Sequence, residues 1–86
     1  MKKSITYTAI AIMVILLSCE NEEEISASQV PQPVMSAFQS KYPNISPEKW
    51  EKENENGKVI YEATFRNNNK EVEAEFDENG NFIEEE

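Results

Sequence analysis

The side chains able to do chemistry in this chain are few in kind. Among 86 residues there is no histidine, one cysteine (Cys19), two glycines, and seventeen aspartates and glutamates. Without histidine there is no imidazole to serve as general base or to bind a transition metal. A single thiol at the end of a greasy leader is not placed for thiol catalysis, and Gly57 and Gly80 stand too far apart for a phosphate-cradling loop. Paired carboxylates remain. Acid–base work with carboxylates needs a sheltered pocket that lifts the pKa of one of them, and a domain of fewer than sixty residues offers little room for such a pocket. The chain therefore reads as a non-enzyme, with no catalytic residue, no cofactor and no metal site expected.

Cys19 has a better-defined role. Lys2 and Lys3 precede the apolar run from Ile5 to Leu17, the charged-then-greasy order of an export signal, and the run is too short for a comfortable bilayer span. In Leu16-Leu17-Ser18-Cys19, small Ser18 before the cysteine and Leu16 three places upstream of it resemble the lipobox of bacterial lipoproteins. That resemblance implies cleavage after Ser18 and a diacylglycerol on the Cys19 sulfur. Each buried acyl methylene is worth about 0.8 kcal/mol, so two or three chains would hold the protein on a membrane. As the sole cysteine, Cys19 has no partner for an internal disulfide.

The chain carries a net charge of −9, and loss of Lys2 and Lys3 with the leader, which contains no acidic residue, brings the mature protein to −11. Such a chain does not bind a nucleic acid backbone or an anionic lipid surface by electrostatics. The run Glu20-Asn21-Glu22-Glu23-Glu24 reads as an extended, hydrated tether continuing to about Gln29. It resembles the acidic signal that sends Bacteroidota lipoproteins to the outer face of the outer membrane. The expected organisation is a signal peptide over 1–18, an acidic lipid-anchored tether over 19–29 and one small domain over 30–86.

Within the domain, Pro31 and Pro33 suit the first turn of a helix, and Val34, Ala37, Phe38 and Tyr42 form one apolar helical stripe that Pro43 ends. After Glu48 the pattern becomes alternating. The sets Val59, Tyr61, Ala63, Phe65 and Val72, Ala74, Phe76 share a face only if Phe65 opposes Val72 and Ala63 opposes Ala74, which puts a two-residue turn at Asn68-Asn69. Placing Trp50 on that face, opposite Ala63, requires a turn at Asn56-Gly57; placing Phe82 opposite Phe76 requires the loop Glu78-Asn79-Gly80. Three turns that agree on one buried face predict an α+β fold: one helix packed on one face of a four-stranded antiparallel meander, with a wet opposite face. The alternate positions of Asp77, Asn79 and Asn81 invite a calcium-loop reading, but the glycine comes too early and no twelfth-position glutamate follows, so a hairpin turn is expected.

The same registers align Glu51, Glu62 and Glu75 across three strands on the outward face, with Lys49 and Arg66 nearby. Like charges directly opposite one another cost stability. This row is the candidate interaction surface: a docking stripe for a basic partner or a weak cation site, against the plainer reading of charge that keeps a surface protein soluble. Ile60 and Ile83, on the wet side, offer a contact for a homodimer.

Pro33-Val34 leading to Ala37-Phe38, then Tyr42-Pro43, Trp50, Tyr61-Glu62-Ala63-Thr64-Phe65, and Phe76-Asp77 with Asn79-Gly80 resemble the PepSY-like, beta-lactamase-inhibitor-like domains of secreted bacterial proteins. The resemblance covers about residues 30 to 84 and implies a helix on a small antiparallel sheet, together with binding or inhibition of secreted enzymes, peptidases above all. Members often carry two such units, whereas this chain has one, and no inhibitory residue of the family transfers to it. The expected function is that of an outer-membrane envelope lipoprotein that binds a secreted or envelope protein. The alternative is a structural lipoprotein without a specific ligand, or a weak cation-binding acidic module.

Overall fold

The computed structural model describes residues 22–86. The expected leader and Cys19 lie outside the described residues. In chain order the elements are strand β1 (Glu22–Ile25), a short 3₁₀ helix (Ala27–Gln29), helix α1 (Gln32–Lys41), and strands β2 (Lys49–Glu55), β3 (Lys58–Asn67), β4 (Lys70–Asp77) and β5 (Phe82–Glu85). Strand order in the sheet is β1-β2-β3-β4-β5, and every neighbouring pair is antiparallel. Among the described residues no helix is long and apolar enough to cross a membrane.

The sheet has five strands, which corrects the expected four. The extra one, β1, comes from the glutamate run assigned to the tether. Its backbone pairs with β2 in the register Glu24↔Glu51 and Ile25↔Trp50. One apolar residue holds it down, because Ile25 falls on the core side and is buried, as is Val30 after the 3₁₀ helix. The intervening bend is tied locally by the Ser26 amide, which donates to Gln29 Oε1 at 2.9 Å. Backbone pairing satisfies the β2 edge whatever the side chains carry, so a run that looks like hydrated tether still forms a strand.

Helix α1 forms where its prolines and apolar stripe place it. Pro31 is the N-cap, Pro33 lies in the first turn, Lys41 sits in the last turn where the helix dipole favours a cation, and Tyr42 caps the end just before Pro43. Val34 and Phe38, four residues apart, are fully buried. The Phe38 ring meets Trp50 at 5.5 Å, Phe65 at 5.4 Å and Phe76 at 6.3 Å between centroids, each edge to face, and Tyr42 lies 4.7 Å from Phe65. Tyr42 also donates its hydroxyl to Glu85 Oε1 at 2.6 Å, which ties the helix end to β5. Burial and that carboxylate both raise the Tyr42 pKa.

All three turns lie where the shared-face argument puts them. Asn56-Gly57 and Asn68-Asn69 are two-residue turns with positive φ at both positions, as the right-handed twist of a hairpin demands. In the third, Asp77 Oδ1 accepts from the Asn79 and Asn81 amides at 2.9 Å, and Oδ2 from Asn81 Nδ2 at 3.0 Å. These bonds, the Asn81 amide first, lower the Asp77 pKa. Its carboxylate serves as the brace of a turn.

Two expectations for individual side chains change. Phe82 opposes Phe76 as predicted, with ring centroids 5.7 Å apart, yet remains 43% exposed, because β5 is an edge strand with no neighbour on its outer side. From the last turn of α1, Lys41 Nζ lies over its ring at 4.3 Å. Ile60, expected on the wet side as a dimer contact, is on that side but buried between its cross-strand neighbours Glu53 and Asp77, which leaves Ile83 as the exposed one of the pair.

Gly80 gives a direct test of how the last hairpin packs. It has φ of +91°, and a Cβ there would lie 2.6 Å from the Pro33 carbonyl oxygen in the first turn of α1; Gly57 has φ of +82° with nothing within 4 Å. Gly57→Ala should therefore cost about 1 kcal/mol from backbone strain alone, and Gly80→Ala about 2–3 kcal/mol, with the clash added. Denaturant unfolding of both variants measures the gap, and equal losses would show that the hairpin can move off the helix.

Candidate functional site

The open face of the sheet is built by strand parity. In β3, Tyr61, Ala63 and Phe65 point under Phe38 into the core, so Ile60, Glu62, Thr64 and Arg66 must stand on the other side. The registers then line up Glu24, Glu51, Glu62, Glu75 and Glu84, one glutamate from each of the five strands. Glu51, Glu62 and Glu75 are brought together as their spacing predicts. Glu24 and Glu84, at the ends of the row, were not expected there.

The reason differs at each end. Glu24 required β1 to be recognised as a strand. Glu84 required the bulge in β5: with Phe82 opposite Phe76, an unbroken ladder would set Ile83 beside Glu75, but the bulge shifts the register and sets Glu84 there. Flanking rows add Glu22 opposite Glu53 on one side, and on the other Glu73, whose backbone exchanges both hydrogen bonds with Glu86.

Carboxylate oxygens converge in three groups: Glu22, Glu51 and Glu62; Glu53, Glu62 and Glu75; and Glu75, Glu84 and Glu86. Within each group the oxygens lie within 4.8 Å of one another. Lys49 relieves part of the charge, with Nζ 3.5 Å from Glu51 Oε2, and its own pKa is raised by that neighbour. Glu62 belongs to two of the groups and keeps only 6% of its surface, covered by its neighbours rather than by an overlying layer.

Crowding of this kind favours retained protons. Burial, then the charge of Glu73 and a hydrogen bond with Glu51, push Glu62 from the ordinary 4.5 up to about 8. Burial and the bonded Glu22 raise Glu53 to about 7. Glu75 moves the same way through burial and the charges of Glu84 and Glu86. A bond between two carboxyl groups requires that one of them keep its proton. A domain this small was expected to lack the shelter that raises a carboxyl pKa; on this face the shelter comes from other glutamates, without a pocket. Chemically, the arrangement can take up protons, a metal cation, or the basic side chains of another protein.

A carboxyl group whose folded pKa is raised contributes stability that is full below its unfolded pKa, about 4.5, and lost as pH rises through the folded value. Asp77 acts oppositely, losing its contribution as pH falls below its ordinary 3.8. Stability should peak at about pH 4–5 and fall toward pH 9, by roughly 2–4 kcal/mol once solvent screening of these surface carboxyls is allowed for. Glu62→Gln should flatten this fall and raise the melting temperature at pH 8. Thermal melts across pH check both, and a wild-type curve that rises from pH 5 to 9 would contradict the assignment.

The family model of beta-lactamase-inhibitor-like, PepSY-like domains matches residues 17–86. Searches of curated proteins and of solved structures each found no match. The matched span takes in α1 and all five strands. With most of its length matched, this chain belongs to the beta-lactamase-inhibitor-like, PepSY-like family.

Proposed function

We propose that this chain is a lipid-anchored envelope protein that acts by binding, with the open sheet face as the surface that receives a basic patch on a secreted or envelope protein, such as a peptidase. Membership of an inhibitor-like family supports a small binding module, and the absence of histidine from the whole chain supports a non-catalytic role. The observation that carries the proposal is the row Glu24, Glu51, Glu62, Glu75 and Glu84 across all five strands. Directly opposed like charges cost a few tenths of a kcal/mol to about 1 kcal/mol per pair, a cost that a soluble domain could avoid by alternating signs. A partner presenting lysines and arginines removes that repulsion on docking, and the wide negative field speeds the encounter. Anchoring through Cys19 would confine the module to a membrane surface, where a short-lived complex is re-formed readily.

The test uses the full chain in membranes of the producing cell. Reversible crosslinking should capture a stoichiometric basic protein, its yield should drop steeply with salt, and Glu51→Gln/Glu62→Gln/Glu75→Gln should lose it while remaining folded. Equal capture by that variant removes the acidic face from the proposal. Mass spectrometry of the same preparation should find diacylglycerol on Cys19 as the mature first residue, and a free thiol there would remove the anchor.

A further inference from the structure

We propose that the outer edge of β5 receives an extended segment of another protein, which joins the sheet as an added strand with its alternate lysines or arginines beside Glu84 and Glu86. An edge strand leaves backbone donors and acceptors open to a further strand. The strand order puts β1 and β5 at the two edges. In β5 the open groups can be assigned. Glu86 exchanges both backbone hydrogen bonds with Glu73, at 2.8 and 2.9 Å, so its peptide groups face β4. Glu85, one residue back and opposite Ala74, falls in a non-hydrogen-bonded pair and turns its N–H and C=O outward.

Apolar surface lies on the same edge. Phe82 and Ile83, consecutive in β5, are the exposed large hydrophobics among the described residues, at 43% and 44%, and both values hold with Lys41 over the Phe82 ring. The other edge offers nothing comparable, since in β1 three glutamates precede Ile25, which is already buried in the core. Charge then selects the occupant. Glu84 and Glu86 converge with Glu75 on the open face, whereas Glu85 turns to the helix side, where its carboxylate accepts from the Tyr42 hydroxyl. Phe82, packed on the core ring of Phe76, is on the helix side too. A strand laid against β5 thus meets acid on one face and apolar surface on the other, which matches a segment of alternating basic and apolar residues. A second copy of this acidic chain would bring its own Glu84, Glu85 and Glu86 to the seam and be repelled. Pairing through the backbone distinguishes this mode from docking on the open face, and it does not depend on that reading.

The probe is a capped peptide of alternating lysine and valine, about six residues long, with a control peptide of the same composition in which all the lysines precede all the valines. Added to the full chain in about 150 mM sodium chloride, the alternating peptide should bind saturably below about 1 mM and slow hydrogen exchange of the Glu85 amide by about tenfold or more. The control peptide should bind at least about tenfold more weakly. Glu85→Pro removes the outward N–H and spares the ladder to β4, whereas Glu85→Ala keeps that N–H; both lose the carboxylate, so the first should bind about tenfold more weakly than the second. No saturable binding, equal binding of the two peptides, an unprotected Glu85 amide, or equal affinity of the two variants overturns the proposal. Protection of that amide without peptide, rising with protein concentration, would identify a second copy as the occupant and overturn it as well.

Discussion

A single helix covers a single face of the sheet, and the alternation of side chains along β3 turns that into a constraint on the whole molecule. Phe38 sits at the centre of it, its ring edge-on to Trp50, Phe65 and Phe76. Once those rings are buried, a one-residue slip of any strand would drive glutamates into the core and aromatics into water. The registers are therefore held from the helix side. The residues of the open face inherit their positions from that packing, and the few contacts among them, such as Lys49 with Glu51, come after it.

That inheritance explains why carboxylates can be packed so closely. Aromatic burial on one side stabilises a ladder whose other side carries opposed glutamates in every strand. Proton retention by Glu62 and Glu53 is the molecule's own answer to the repulsion. A basic surface or a cation would be alternative answers to the same electrostatic problem, and each would displace the protons. Folding and ligand uptake on this face are thus linked through one set of charges.

Different parts of the architecture were legible to different degrees. The hairpins were readable because turn chemistry and face alternation are both local and had to agree: Asn56-Gly57, Asn68-Asn69 and Gly80 each take the left-handed backbone that a short connection needs. Strand β1 was not readable, because three glutamates before one isoleucine show no alternation, and what orders them is a backbone ladder with a strand some thirty residues away. The bulge in β5 was hidden for a similar reason, since both Ile83 and Glu84 suit an outward position and only the pairing with β4 chooses between them.

The candidate site divides along the same line. Period-two patterning in the sequence was enough to align Glu51, Glu62 and Glu75, because the core residues beside them leave one parity open. Tertiary structure alone decided that the row runs across five strands, that Glu53 joins Glu62 and Glu75 in one carboxylate group, and that Ile60, Glu62 and Thr64 are buried on a face with no covering layer. Local chemistry dictates which way a side chain points. How many neighbours crowd it depends on which distant strands arrive beside it, and burial and retained protons both follow from that crowding.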